Sequence, residues 1–171
     1  IALHLGAEQP EWEFAAVRLS SLLRTNEEQF EPKKRWAMDW YYPVLTGALT
    51  KDLASQRMAS RFDEFMLDDH GVRCVSDQPW VTTAETCECA MAYLAIGDEA
   101  TAHRLFQSVQ PLRDEDGAYF TGMVFPETIT FPDGERSTYS SAAVILAADA
   151  LTNHSTASRL VLGHGLPSLG S

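Results

Sequence analysis

Two stretches of this chain, Thr83–Phe106 and Thr138–Val161, lie on one another without a gap when the sequence is shifted by 55 positions. Seven of the 24 aligned residues are identical, and Thr101-Ala102-x-Arg104-Leu105 meets Thr156-Ala157-x-Arg159-Leu160. A fainter copy lies upstream, where Ala48, Leu49 and Arg57 correspond to Ala95, Ile96 and Arg104. Self-similarity of this period restricts a chain to stacked units, each of which buries its apolar face only against a neighbour.

Each unit reads as two helices joined by a tight turn. Thr82-Thr83-Ala84-Glu85 is a capping-box pattern. Ala84–Ile96, rich in Ala, Met, Leu and Cys, suits a buried inner helix, and Gly97 suits its end. Asp98 can cap an amphipathic outer helix over Glu99–Val109, with Ala102, Leu105, Phe106 and Val109 on one stripe. The last unit repeats the plan over Tyr139–Leu151 and Ser155–Leu162. The upstream unit predicts helices over Trp40–Leu49 and Asp52–Met66, with Pro43 in the first turn, because deeper in a helix it breaks the ladder. Ile1–Leu5 reads as the end of a further inner helix and Pro10–Arg24 as its outer partner. The expected fold is therefore all-α: an α-helical hairpin array forming about half of an α/α toroid, with small β-hairpins in the long loops. Residues 1–162 form a single domain in this reading, and 163–171 a flexible tail.

Charge narrows the partners. Lys and Arg number 13 against 24 Asp and Glu, a formal net charge of -11 that repels phosphate backbones, so no nucleic-acid partner is expected. No apolar run approaches the roughly 18 residues of a membrane span. Three cysteines are an odd count for a disulfide framework and fit a reduced, cytoplasmic setting. Cys87 and Cys89, two apart on a helix, point about 200° apart and cannot share a metal. No zinc spacing occurs elsewhere, so neither metal nor cofactor is expected.

Link lengths locate a site. Links inside the hairpins are short, near Thr50, Gly97 and Thr152–His154. Links between hairpins are long: Thr25–Met38, Leu67–Thr82 and Gln110–Ser137. Alternating short and long links put all the long ones at one end of a helical array, where the inner helices also begin. Carboxylates and aromatic rings gather in these links and helix starts. Rings stack on pyranose faces, while acids bind hydroxyls or move protons. Asp39 and Glu85, near the openings of successive inner helices, are the expected catalytic pair. Trp36, Trp40, Tyr42, Asp77, Trp80, Glu88, Tyr119, Glu127, Arg136 and Tyr139 are the expected substrate contacts. Each has an ordinary reading too: Asp39 and Glu85 as caps, the rings as core, Arg136 as half of an ion pair.

Three motifs carry a family resemblance: Trp36-Ala-Met-Asp39-Trp40-Tyr41-Tyr42-Pro43-Val44-Leu45, Gly71-Val-Arg-Cys74-Val-Ser-Asp77-Gln-Pro-Trp80-Val-Thr, and Glu135-Arg136-Ser-Thr-Tyr139. With them the chain resembles actinobacterial proteins commonly labelled prenyltransferase-like, over about the C-terminal half of a typical member. The resemblance implies an α/α toroid akin to terpenoid cyclases and six-hairpin glycosidases. Arg113-Asp-Glu-Asp-Gly117-Ala-Tyr119 is similar to the Q-x-x-x-G-x-W repeat of triterpene cyclases but departs from it at both ends, and their D-x-D-D signature is absent.

The expected function is a carbohydrate-acting enzyme domain of six-hairpin glycosidase type. The alternatives are a prenyltransferase or cyclase-like toroid acting on an isoprenoid, and a non-catalytic binding or scaffold fragment. The expected partners are a small-molecule substrate, sugar or isoprenoid, and either a second copy or a missing N-terminal half.

Overall fold

The computed structural model describes residues 5–162. The reading of 163–171 as a tail, and most of Ile1–Leu5, lie outside the described residues. The chain opens with α1 (Pro10–Thr25), α2 (Ala37–Leu45), α3 (Lys51–Ser60) and the single turn α4 (Phe62–Phe65). Strands β1 (Met66–Leu67), β2 (Gly71–Val72) and β3 (Trp80–Thr82) follow, then helices α5 (Thr83–Ala95) and α6 (Glu99–Ser108). Strands β4 (Phe120–Val124) and β5 (Ile129–Arg136) precede α7 (Thr138–Thr152) and α8 (Thr156–Val161).

The all-α half-toroid expectation is overturned. The described residues form a mixed α and β unit with two antiparallel sheets, β1-β2 and β3-β4-β5. The larger sheet is not a loop hairpin standing apart. Its edge strand β3 runs directly into α5, and β3 pairs with β4 some forty residues downstream, Val81 opposite Met123 and Thr82 opposite Gly122. At the other end of the chain α1 buries none of its residues, so it is not the packed outer helix of a further hairpin.

Helix α5 is the centre of the molecule. Ala84, Cys87, Cys89, Ala90, Met91 and Ala92 are all buried, because α2 packs on one side and α7 on the other. Small side chains let both neighbours approach closely. α7 begins 55 residues after α5, at Thr138 and Thr83, as the repeat requires. Gly97, at φ +84°, turns the chain from α5 into α6 in the left-handed conformation a glycine adopts without strain, and Asp98 accepts from the Thr101 N–H at 3.0 Å.

Pro43 lies near the end of α2, not in its first turn, and the structure shows why this is tolerated. A proline offers no N–H to the carbonyl four residues back. That carbonyl, on Asp39, instead accepts from Arg57 Nη2 at 2.6 Å, and the Trp40 carbonyl accepts from Arg57 Nε at 3.0 Å. Arg57 returns its own carbonyl to Trp40 Nε1 at 2.8 Å and pairs with Glu27. The predicted helix over Asp52–Met66 breaks at Arg61, and Met66–Leu67 leave it to pair with Gly71–Val72.

The three long links bond to one another. The Ala37 N–H donates to the Cys74 carbonyl at 3.0 Å, the Ser76 N–H to Arg35 at 2.9 Å, and the Phe125 N–H to Pro79 at 2.8 Å. They therefore share one end of the molecule. Gly122 allows the closest approach in the sheet. A Cβ there would run into the Val81 carbonyl oxygen and lie 3.1 Å from Thr82 Cα. Gly122→Ala should cost about 1–3 kcal/mol by forcing the strands apart, measurable as a lower urea midpoint.

Candidate functional site

Glu85 and Glu88 lie three residues apart on α5 and so share one face of the helix. Glu88 is the hub of a hydrogen-bonded cluster. Its Oε2 accepts from the Tyr41 hydroxyl at 2.6 Å, and its Oε1 from the Tyr139 hydroxyl at 2.7 Å. Tyr41 comes from the middle of α2 and Tyr139 from the first turn of α7, so one carboxylate ties the central helix to both neighbours. These lengths are those of charge-assisted bonds. Burial, and then the charge of Glu88, push the Tyr41 phenol well above its ordinary value. Burial and the Glu88 hydrogen bond do the same to Tyr139, and burial and the Glu88 charge to Tyr42. Tyr41 and Tyr139 thus stay protonated across the neutral range, as donors to a carboxylate must.

Tyr41 is fully buried. Glu88→Ala would strand its hydroxyl without an acceptor, at a cost of about 1–3 kcal/mol. Glu88→Gln keeps a carbonyl oxygen and should cost less. Chemical denaturation of the two variants checks the order.

Glu85 lies one turn nearer the start of α5 and is largely buried. Burial raises its carboxyl above the usual range, opposed in part by the neighbouring Thr82 hydroxyl and the amides of the helix start, while the Glu88 charge raises it further. The Thr82 hydroxyl is close enough to act on Glu85, yet its Oγ1 closes no hydrogen bond at standard geometry, so the capping box is incomplete. Two carboxyls with different environments result. One accepts from two tyrosines, and burial raises the other above the usual carboxylate range.

Beside this cluster the surface is hollowed. One hollow of about 350 Å³ lies between α2, α5 and α7, lined by Tyr42, Leu45, Glu88, Met91, Tyr139 and Leu146 among others. A trough of about 640 Å³ lies along α2, lined by Leu23, Lys33, Trp36, Met38, Asp39, Tyr42, Pro43 and Thr46. Tyr42 and Thr46 line both, so the two adjoin across the Tyr42 ring. Asp39 also borders a third hollow of mixed charge, lined by Glu27, Glu28 and Glu31 together with Lys34, Arg57 and Arg61.

The structure thus gathers five of the expected residues, Trp36, Asp39, Tyr42, Glu88 and Tyr139, around adjoining hollows, while Glu85 lines neither. The others go elsewhere. Trp40 is fully buried and stacked on Phe65 at 5.7 Å between ring centroids, which makes it core. Tyr119 is buried, with its hydroxyl donating to Gln110 at 2.9 Å. Trp80 stacks on Phe131 at 4.7 Å within the sheet. Arg136 is held by Asp114 and Asp116, both at 2.7 Å. Glu127 is exposed in the turn between β4 and β5. Asp77 pairs with Arg35 at 3.0 Å, and that guanidinium lies over the Trp36 ring at 5.1 Å.

Met38, Leu45, Met91 and Leu146 line the hollows without having been expected there. In sequence Leu45, Met91 and Leu146 read as helix core and Met38 as the end of a long link; Met91 is indeed buried, and the open sides of α2 and α7 bring the others to the hollows. Among the described residues no three His, Cys, Asp or Glu side chains gather closely enough to hold a metal, and no helix is long and apolar enough to cross a membrane. Cys74, Cys87 and Cys89 are buried free thiols, and burial pushes Cys74 to about 11 and Cys87 to about 12.

No protein-family model matches the chain. It is 46% identical over 167 residues to a curated protein of Mycolicibacterium hassiacum named MMP endo-(1,4)-3-O-methyl-alpha-D-mannosidase. The match takes in 98% of this chain and 46% of that protein, so the chain spans about half the length of the relative it matches.

Proposed function

We propose that this chain carries part of the catalytic surface of a glycoside hydrolase acting on an α-linked mannan. The observation that carries the reading is the pair of carboxyls on α5: Glu88 lines a hollow that adjoins a trough edged by Trp36, Tyr42 and Asp39, and one turn before it lies Glu85, which burial raises above the usual carboxylate range. The 46% identity to a mannosidase supports the choice of a mannoside.

In this reading Glu85 donates its proton to the glycosidic oxygen as the bond to the leaving sugar breaks. A carboxyl with a raised pKa keeps that proton nearer neutral pH than an ordinary glutamate does. Asp39, on the trough side of α2, is the opposing carboxylate, which takes a proton from the water whose oxygen bonds to the anomeric carbon as the leaving sugar departs. Glu88, with an oxygen pinned by each of two tyrosines, takes a sugar hydroxyl on its remaining lone pairs and fixes the ring.

The isoprenoid alternative needs cations for a diphosphate. The trough carries a single one, Lys33; in the hollow beyond Asp39, Arg57 and Arg61 are paired with Glu27 and Glu64, and Arg136 is bound by two carboxylates.

The test is release of reducing ends from α-(1,4)-mannan oligomers by the purified protein. Asp39→Asn should lower kcat/KM at least about 100-fold while leaving the circular dichroism spectrum unchanged. Full activity in that variant would remove Asp39 from the mechanism, and no cleavage or binding of any mannan by the parent would refute the proposal.

A further inference from the structure

We infer that the outward face of the β3-β4-β5 sheet is a second sugar-binding platform, on which the stacked rings of Trp80 and Phe131 hold a glycan unit away from the bond that is cut. The inference rests on the reading of this chain as a glycan-cleaving surface, and it assigns a stretch of that surface which neither hollow includes.

The register of the sheet gives the platform its members. Trp80 stands opposite Val124, and Val124 opposite Ile129. Two residues along, Thr82 stands opposite Gly122, and Gly122 opposite Phe131. Residues two apart on a strand share a face, so all six lie on one side. Val81 and Met123 lie on the other, packed with Leu112, Leu67 and Phe125 in a small core. The side that carries Trp80 is therefore turned away from that core. Trp80, Val124 and Phe131 are half-buried there, and Ile129 is 64% exposed. Trp80 and Phe131 come from the two strands that flank β4. Their rings meet at 4.7 Å between centroids, 18° from parallel, because Gly122 between them has no side chain.

This face runs up to Glu85. Arg73 bridges Val81, so Cys74 stands opposite Trp80 and joins the same side, its N–H donating to the Trp80 carbonyl at 2.9 Å. Burial and then the Glu85 charge raise the Cys74 thiol, and the Thr82 hydroxyl acts on Glu85 against the effect of burial. The carboxyl thus borders two residues of the face, and Trp80 lies about 7 Å along the strand from Thr82.

Thr82 is 6% exposed, and among the described residues no group closes a hydrogen bond to its Oγ1. A buried hydroxyl of this kind marks a place where a partner is missing. Rings that meet above a bare glycine also shield its backbone. Shielding alone accounts for neither the open Ile129 beside them nor the orphaned hydroxyl at the Glu85 end. A pyranose unit matches all three, since its C–H faces lie on flat rings and its rim carries hydroxyls that both donate and accept.

The experiment measures binding and kcat/KM for a short and a long α-(1,4)-mannan oligomer, the short one just spanning the scissile bond. The parent protein is compared with Trp80→Ala, Trp80→Tyr and Phe131→Ala, each checked by circular dichroism. The parent should bind the long oligomer tighter than the short one. Trp80→Ala should weaken the long oligomer about ten-fold, the worth of one aromatic contact, and leave the short one unchanged. Trp80→Tyr should restore most of the loss. Phe131→Ala, on the far strand, should repeat the pattern, and Ile129→Glu, at an exposed position, carries the test if neither alanine variant folds. An equal loss for both lengths would show that the rings only shield the sheet and would overturn the inference. No loss for either length, or a parent indifferent to length, would overturn it and leave the mannoside reading standing. Binding of neither oligomer by the parent would sink that reading as well.

Discussion

Glu85→Gln should abolish mannan hydrolysis, a loss of about 100- to 10,000-fold in kcat, while leaving the protein at least as stable as the parent at pH 8. The two effects have one cause. Burial raises the Glu85 carboxyl above its unfolded-state value. Its contribution to stability is therefore fully present below the ordinary carboxylate pKa and is lost as pH rises through the raised one. Glutamine is neutral at every pH, so the substitution removes that alkaline loss and the proton donor together. Thermal melts at pH 4 and pH 8 measure the first effect. The parent should lose more stability between them than the variant does. Reducing-end assays measure the second, and the alkaline limb of the parent's kcat/KM profile should lie above the range of an ordinary glutamate. A variant that is inactive and also unfolds more readily at pH 8 would mark Glu85 as a structural cap and nothing more.

Trp40→Ala should be the most damaging change to the fold, at about 3–5 kcal/mol, or about 6–20 °C in Tm for a chain of this size. The ring has no exposed surface, stacks on Phe65 and meets Tyr41 edge-on at 6.4 Å. Its Nε1 donates to the Arg57 carbonyl at 2.8 Å, and Arg57 in turn supplies the Asp39 carbonyl with the donor that Pro43 lacks. Truncation leaves a large void and loosens the helix that carries Asp39 and Tyr42. Scanning calorimetry checks the magnitude. A shift under about 2 °C would show that the ring is not the packing element described here.

Trp40 also shows where the sequence stopped being readable. Trp36 and Trp40 lie one turn apart in the same motif and look alike as sugar platforms. The fold separates them completely, one buried against α4 and one opening onto the trough. Nothing local distinguishes them, because the difference lies in Phe65, twenty-five residues away. Helix positions were more legible. Gly97 with Asp98 marks the α5–α6 turn, and the 55-residue offset places the start of α7, since both signals are short-range. A hairpin in the third link was expected, but its pairing with β3 was hidden for the opposite reason. β3 is only three residues long and its partner is far downstream, so no periodicity announces it. Its one clue was Gly122, whose missing side chain makes sense only once Val81 lies across from it. Arg57 escaped in the same way, appearing as an ordinary outer-helix cation until the proline beside it called for donors.

Strand β3 ends at Thr82 and α5 begins at Thr83, so only covalent geometry separates the sheet from the first turn that bears Glu85. The sheet thereby sets the depth at which the acid is held. Anything that shears β4 against β3, whether a bulkier residue at position 122 or a neighbouring molecule on β5, would displace the carboxyl without touching it. On the proposed mannoside reading, variation in turnover should accordingly be sought along a rim of backbone away from the carboxyls, as well as among the side chains beside them.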